Sequence, residues 1–291
     1  MGAVLYYLFI FPISILPYFL LNAVSTFIYW ILYYLLGYRK SVVTENIYSS
    51  FPTKSKQELD DIVKGFYKYF ADLLVEVFKN FTISEKAIKK RVVFENVEVL
   101  NTFHDLNKSV IIATSHQGNW EMLAMAIGDL GKHKQMAIYK PLKNKFFDNK
   151  MKETRQKLGL EMFPMSDTIK YFKKSFPSPV SIFFASDQWP SNPKRAHWTK
   201  FLERDTPILL GAEQYAKLFD WPVVYCEMIK TKRGHYSVRF ETITDTPKEM
   251  EKGGIMDDYC EKLEKTIQRN PTDWLWSHRR WKRTKEEVFA D

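Results

Sequence analysis

The chain has 291 residues, of which 45% are hydrophobic and 16% aromatic, and this content is enough for a sizeable core beside an extra segment. The formal net charge of +9 indicates an anionic partner. Charge alone does not decide whether that partner is nucleic acid, anionic lipid or an acidic protein. The two cysteines, Cys226 and Cys260, do not imply a disulfide framework and fit a cytosolic main domain.

The N-terminal segment is apolar, and residues 3–36 contain no charged side chain. A bilayer span needs roughly 20 such residues. Arg39 and Lys40 follow directly, which favours a cytoplasmic location for the rest of the chain. We therefore predict a membrane anchor over 1–40 and a cytoplasmic-face domain over 41–291. The anchor is either a kinked span or a helix lying partly in the interface, and a pair of apolar helices packed on the domain is the alternative.

Beyond residue 40, short apolar runs alternate with amphipathic stretches. Helices are predicted over 41–81, from 84, and over 120–130, 144–158, 207–219 and 256–269. Strands are predicted over 92–94, 110–113, 135–139, 180–185, 222–230 and 236–243, the last two pairing around a turn at 232–234. This alternation predicts an α/β domain with a mixed central sheet and helices on both faces.

The most informative stretch is Thr-Ser-His-Gln-Gly-Asn-Trp-Glu at 114–121. A strand runs into His116, a glycine permits a sharp turn, and Asn119 can cap the next helix, whose first amides can steady an oxyanion. Reacting groups in α/β folds lie at such strand ends. We predict that Glu121 reaches the imidazole and orients it, so that His116 removes a proton from a substrate hydroxyl. A structural histidine is the alternative.

Other motifs are weaker. The remaining histidines lack zinc-type spacing, and the sequence has no Gly-rich phosphate loop, so neither a metal nor another cofactor is expected. The lysines of 140–157 fit a dock for an acidic carrier protein, a clamp for lipid phosphates or a solvated helix face. The Trp- and Arg-rich stretch 274–283 fits nucleic acid, a membrane surface or a buried Trp face. The apolar anchor favours the membrane, so no nucleic-acid partner is expected.

At this point a resemblance becomes specific. Residues 115–121 resemble the His-x-x-x-x-Asp/Glu signature of the late lipid A acyltransferases, the lauroyl and myristoyl transferases of lipopolysaccharide assembly within the lysophospholipid acyltransferase-like superfamily. Further blocks resemble the family's in the same order: 139–144 with Asp148, Arg155 and Gly159; 186–188 before 198–201; and 271–282. The resemblance covers nearly the whole chain and includes the N-terminal anchor.

The resemblance implies a glycerolipid acyltransferase-like fold and an inner-membrane enzyme that works on the cytoplasmic face. The donor would be an acyl carrier protein thioester or, less often, acyl-CoA, and the acceptor a hydroxyl of a lipid A precursor that attacks without an acyl-enzyme. By position, His116 is the base and Glu121 its orienting acid. The predicted substrate-binding residues are Asn119, Lys140, Arg155 and Asp187.

One departure from the family pattern concerns residues 201–205. Many members have a Phe-Phe-Gly-like run there, whereas this chain reads Phe-Leu-Glu-Arg-Asp. Two other functions stay open: acylation of a different lipid, such as a lysophospholipid or an amino lipid, and a non-catalytic membrane-tethered protein that binds nucleic acid or a carrier protein.

Overall fold

The computed structural model describes residues 2–290. The chain begins with α1 (Gly2–Leu5), a π-helical turn (Tyr6–Ile10) and α2 (Phe11–Ile15), and it continues after a break with α3 (Tyr18–Trp30) and a second π-helical turn (Ile31–Leu35). Pro17 lies at the break, since it has no N–H to continue a helix. Within the described residues, Tyr18–Leu35 is the one helical stretch long and apolar enough, by length and composition, to cross a membrane.

Helices pack on both sides of a central sheet. They are α4 (Lys40–Ser50), α5 (Lys56–Asn80), α6 (Glu85–Arg91), α7 (Glu98–Asp105), α8 (Trp120–Ala126), α9 (Lys145–Arg155), α10 (Thr168–Phe172), α11 (Gly211–Phe219), α12 (Gly254–Arg269) and α13 (Lys285–Ala290). The longest, α5, starts with a capping box in which the Ser55 hydroxyl accepts from the Glu58 amide and the Glu58 carboxylate accepts from the Ser55 amide.

The strands form a seven-stranded mixed sheet and a separate hairpin. They are β1 (Val92–Phe94), β2 (Val110–Thr114), β3 (Lys134–Tyr139), β4 (Glu161–Pro164), β5 (Val180–Ala185), β6 (His197–Phe201), β7 (Arg204–Ile208), β8 (Val223–Lys232) and β9 (His235–Thr244). The sheet order is β1-β9-β8-β2-β5-β3-β4, in which only β8 and β9 pair antiparallel, and β6 and β7 form the hairpin.

The hydrophobic core is divided by this sheet into two clusters. Along β2, Ile111 and Ala113 belong to the cluster that contains α5, α11 and α12. Val110 and Ile112 belong to the opposite cluster, with α7 and α8. All five β2 residues are buried. This explains why the sequence of the strand is almost entirely apolar, as is typical of a central parallel strand.

Most predicted elements are confirmed, and the exceptions have physical causes. The helix predicted over 41–81 is two helices, because Pro52 follows the first one. The helix predicted over 207–219 is wrong in its first part: Pro207 lies in β7, and the helix begins at Gly211. The short strands β4 and β6 were not predicted, because neither carries a continuous apolar run.

Candidate active site

The site is built around a sharp turn after the central strand β2. Gly118 has a φ of +61°, a region that favours glycine, and a Cβ there would lie 3.0 Å from Cγ of Met228. The Tyr69 hydroxyl donates to the Gly118 carbonyl at 2.6 Å. The Gly118 amide in turn donates to the Asp273 carbonyl at 2.9 Å. These contacts fix the turn, so His116 is held at the carboxyl end of β2 as predicted.

The carboxylate that orients His116 is Asp187. This residue follows β5, the parallel neighbour of β2, so the carboxyl ends of the two strands bring the side chains together. Oδ1 of Asp187 lies 2.7 Å from Nδ1 of the imidazole, and Oδ2 accepts from the His116 backbone amide at 2.8 Å. The indole N–H of Trp274 also donates to Oδ2 at 2.8 Å. Asp187 is only 2% exposed. A carboxylate buried this deeply stays ionised because these hydrogen-bond partners surround it.

The two groups of this dyad shift each other's pKa. Burial by itself raises the pKa of Asp187, but the charge of His116 and hydrogen bonds from His116 and Trp274 lower it to about 2. Burial by itself lowers the pKa of His116, and the charge and hydrogen bond of Asp187 outweigh that effect, so it lies above its ordinary value. Asp187 is thus a stable anion, and His116 is the group of the pair that takes up and releases a proton.

The tautomer of His116 follows from its neighbours. An ionised Asp187 only accepts, so in neutral His116 the proton resides on Nδ1. The Nε2 atom is then an acceptor, and the amide nitrogen of Gln188 lies 3.2 Å from it. Trp120 packs edge-on against the imidazole with ring centroids 5.2 Å apart. The imidazole ring is thus fixed, with its Nε2 lone pair facing the Gln188 amide.

Glu121 does not orient the imidazole, which corrects the prediction from the sequence. Its two carboxylate oxygens accept from Nε and Nη2 of Arg155 at 2.7 and 2.6 Å, a bidentate ion pair between α8 and α9. Arg155 therefore uses two of its nitrogens on the protein and not on a bound anion. Because Glu121 is the fifth residue after His116 along a tight turn, proximity in sequence suggested a contact that is made by Asp187 in the structure.

Asn119 is buried behind the site and does not line the cavity, contrary to its predicted role in substrate binding. It is fully buried, and its side-chain oxygen accepts from the Met122 amide at 2.9 Å as the N-cap of α8. Its side-chain amide donates to Glu76 at 2.6 Å, and the Tyr236 hydroxyl donates to the same carboxylate at 2.7 Å. Burial raises the pKa of Glu76.

A cavity of about 240 Å³ opens beside the dyad. Its polar lining residues include His116, Glu121, Arg155 and the exposed Lys140. Its apolar lining residues include Leu123, Ala124, Ile127, Leu160, Met162 and Phe183. A lining that combines an imidazole with apolar side chains matches a ligand that carries a polar group on a hydrocarbon chain.

The Trp-rich C-terminal stretch is core. Trp274 and Trp276 are 2% and 0% exposed, and Arg280 is fully buried, so these residues do not lie at a membrane or nucleic-acid surface. His278 Nε2 accepts from the Trp189 amide at 3.0 Å, and burial lowers the pKa of His278 to about 4. The segment between α12 and α13 therefore packs against Asp187 and the loop after it and holds both in place.

The family assignment rests on nearly the full length of the chain. Residues 1–283 match the model of a family described as bacterial lipid A biosynthesis acyltransferase. The chain belongs to this acyltransferase family. A search of curated protein sequences finds no match. The family supports acyl transfer in lipid A biosynthesis, with an acyl donor and a lipid acceptor as substrates, and the mixed α/β architecture is the one that the resemblance implied.

Four residues named from the sequence lie together. His116, Glu121, Arg155 and Lys140 line one cavity, and their roles in catalysis or substrate binding stay predictions. Asp187 was named for substrate contacts and lies instead against the imidazole. Its position directly after an apolar strand was the available signal, because parallel strands end at a common edge. Trp274 as a partner of Asp187 had no signal in the local pattern.

Proposed function

We propose that this family member transfers a fatty acyl chain from an acyl thioester to a hydroxyl of a lipid A precursor at the cytoplasmic face of the inner membrane. The observation that carries the proposal is the His116–Asp187 pair, whose imidazole lines a cavity that also has apolar side chains in its lining. In this proposal His116 is the general base and Asp187 its orienting acid, and Glu121 acts through Arg155.

The proposed reaction needs no covalent enzyme intermediate. Nε2 of His116 takes the proton of the acceptor hydroxyl while that oxygen attacks the thioester carbonyl. The tetrahedral intermediate collapses, the C–S bond breaks, and the leaving thiolate takes the proton back from the imidazolium. Asp187 stabilises the imidazolium between these two proton transfers without being protonated itself.

The donor is proposed to be an acyl carrier protein thioester or acyl-CoA. Lys140 and Lys143 are exposed on the loop that leads from β3 to α9, Lys145 is exposed at the first position of α9, and Lys140 lines the cavity. Both donors are anionic, so this basic loop suits either one. A neutral acyl-pantetheine thioester carries the same reacting group without the charges. Comparing it with the two anionic donors therefore distinguishes an effect on donor binding from an effect on the acyl-transfer step.

The test is an acyl-transfer assay with detergent-purified protein. A labelled acyl-carrier-protein thioester, acyl-CoA or acyl-pantetheine is offered with a lipid A precursor, a lysophospholipid or a lyso-amino lipid. Transfer to the lipid A precursor is expected, and His116→Ala should lower it by about 10²–10⁴-fold, the usual contribution of a general base. His104→Ala, a histidine far from the site, is the matched control.

Each outcome of this assay has one meaning. Transfer only to another lipid keeps the chemistry and changes the acceptor. Near-normal transfer by folded His116→Ala protein removes His116 from the mechanism. Absence of transfer to all three acceptors from all three donors contradicts the proposed activity and supports a binding protein.

A further inference from the structure

The apolar N-terminal segment, residues 2–36, has two unlike faces. One face is exposed and consists of large apolar and aromatic side chains, among them Leu8, Phe19, Phe27, Trp30 and Leu35 at 54–77% exposure. The other face packs along α5 and buries Leu21 and Tyr29. An exposed apolar surface of this extent needs a partner.

The packing of α3 on α5 is antiparallel and follows the helix along its length. Near its start, the Tyr18 ring lies 5.8 Å from the Lys79 ammonium. At its middle, the Ser25 hydroxyl donates to Asp72 at 2.6 Å. Beyond α3, the ring of Tyr33 lies 5.3 Å from that of Tyr67. The stretch Tyr18–Leu35 is thus paired, turn by turn, with a helix of the catalytic domain.

The middle of that pairing is strongly charged. Asp72 accepts from Lys230 at 3.0 Å and from Nε of Arg233 at 2.7 Å, and Arg233 also donates to the Asn22 carbonyl at 3.0 Å. Ser25, which contacts Asp72, lies close to the centre of Tyr18–Leu35. If this stretch crossed a bilayer, the three charges would therefore lie near the midplane, where charged side chains are strongly unfavourable.

Both ends of the segment are attached to the domain. At the start, the Tyr6 ring lies 5.5 Å from that of Phe146 on α9. Around the break, the Lys79 ammonium donates to the Ser14 and Leu16 carbonyls at 2.8 and 2.9 Å. At the end, the Arg39 guanidinium donates to the Ser277 carbonyl at 2.9 Å. A segment held at its start, break and end by one domain has no free end to place on the opposite side of a membrane.

We infer that residues 2–36 lie parallel to the membrane within a single leaflet and do not cross it, so that both ends stay on the side of the catalytic domain. The exposed face dips into the acyl chains, as in amphipathic in-plane helices. The ammonium of Lys40 lies 4.1 Å from the centroid of the Tyr33 ring at the rim of that face, where it suits anionic headgroups.

This arrangement brings the leaflet close to the cavity. The helix α9 begins beside Tyr6 and ends at Arg155, which lines the cavity. A lipid acceptor then reaches His116 from the headgroup layer without leaving the membrane. This consequence rests on the proposed function, whereas the in-plane arrangement itself does not depend on any reaction.

The topology is tested by labelling. A single cysteine in a short tag before Met1 is treated with a membrane-impermeant maleimide in spheroplasts and in inverted inner-membrane vesicles. Cys226 and Cys260 are 1% and 2% exposed, so they give little background in the folded protein. Labelling in inverted vesicles alone is expected. Labelling in spheroplasts means that the segment spans the membrane and overturns the inference.

The lipid-facing surface is tested with purified full-length protein and vesicles of phosphatidylethanolamine and phosphatidylglycerol. Phe27→Glu should weaken vesicle binding by at least about tenfold, the worth of one buried aromatic side chain. Leu218→Glu changes a residue of equal exposure on α11, away from this face, and should leave binding unchanged. Trp30→Glu is the second variant if Phe27→Glu does not fold.

Two results contradict the assignment of this face to lipid. One is equal vesicle binding by Phe27→Glu, Trp30→Glu and Leu218→Glu. The other is wild-type protein that ignores vesicles but self-associates in a manner that Phe27→Glu abolishes, since the face would then bind a second copy. Neither result bears on acyl transfer, so a failure here is distinguishable from a failure of the proposed function.

Discussion

The proton of neutral His116 resides on Nδ1, the nitrogen that is hydrogen-bonded to Asp187. This contact decides which nitrogen of the imidazole can accept a proton. Only the form with a free lone pair on Nε2 takes a proton from a hydroxyl. Because Asp187 holds the pKa of His116 above its ordinary value, the imidazolium is the form that accumulates as pH falls. Activity should therefore fall on the acid side of a pH profile, with an apparent pKa above the 6.5 of an ordinary histidine.

Asp187→Asn should change both the rate and the pH profile. The amide keeps the shape but removes the charge that raises the pKa of His116, and burial then lowers that pKa, so the acid limb of kcat/KM should move to lower pH. The rate at its optimum should drop by about 10²-fold or more, because the tautomer is no longer fixed. The pH–rate profile measures both effects, and an acid limb that stays in place would remove Asp187 from its proposed role.

The Glu121–Arg155 pair should behave as one unit. Glu121→Ala and Arg155→Ala should each reduce kcat/KM less than His116→Ala does, and the double variant should lose less than the sum, with a coupling of about 0.5–3 kcal/mol. Glu121 raises and Arg155 lowers the pKa of His116, so the double variant should keep an acid limb close to wild type. Strict additivity of the two losses contradicts coupling through the ion pair.

How much of the site could be predicted from sequence depends on the distance along the chain. His116, Gly118 and the cap at Asn119 form a local strand–turn–helix unit, and local patterns predict such units well. The carboxylate partner of His116 is Asp187, which lies 71 residues later in the chain and is brought close by the pairing of β2 with β5. Register and strand order decide that contact, and neither is visible in a motif.

At the scale of single elements, the hairpin of β6 and β7 turns through Leu202 and Glu203. Both have positive φ, 49° and 63°, as a two-residue type I′ turn requires. Non-glycine residues in this region cost roughly 1–2 kcal/mol. Leu202 is 1% exposed and contributes to the core, so burial of its side chain offsets the backbone strain.

Glu203→Gly should stabilise the protein by up to about 1 kcal/mol. Glu203 is exposed, and glycine relieves its backbone strain, although glycine's larger entropy in the unfolded chain reduces the gain. Thermal melting in detergent measures the effect as a rise in Tm. Lys200→Gly, on the adjacent strand, is the control and should lower Tm, because glycine weakens a strand. A lower Tm for Glu203→Gly would mean that its side chain stabilises the hairpin.

Element prediction was best where a long apolar or amphipathic period existed. The strand at 180–185 and the start of α8 at Trp120 were placed correctly, since each pairs a clear apolar run with a clear boundary. Pro207 misled because proline favours the first turn of a helix as well as an edge strand. In β7 it lies opposite Trp198 of the short hairpin, a pairing with no sequence signal.

At the scale of the whole molecule, the N-terminal segment is packed on the catalytic domain as one of its layers. Deleting residues 1–36 removes four buried hydrophobic side chains of the described segment, namely Tyr6, Ile10, Leu21 and Tyr29. At about 1.5–3 kcal/mol per buried side chain, the loss is comparable to the whole stability of a typical domain, about 5–15 kcal/mol. It also leaves Asp72 without the Ser25 hydroxyl.

The truncated protein is therefore expected to lose its cooperative thermal transition, and not merely its affinity for membranes. Circular dichroism melts of the 37–291 fragment and of full-length protein in the same detergent make the comparison. Full-length Phe27→Ser, altered only on the exposed face, is the control and should melt like wild type. A fragment that melts cooperatively at the wild-type temperature would show instead that the domain folds without its first layer, and a domain boundary near residue 40 would then follow.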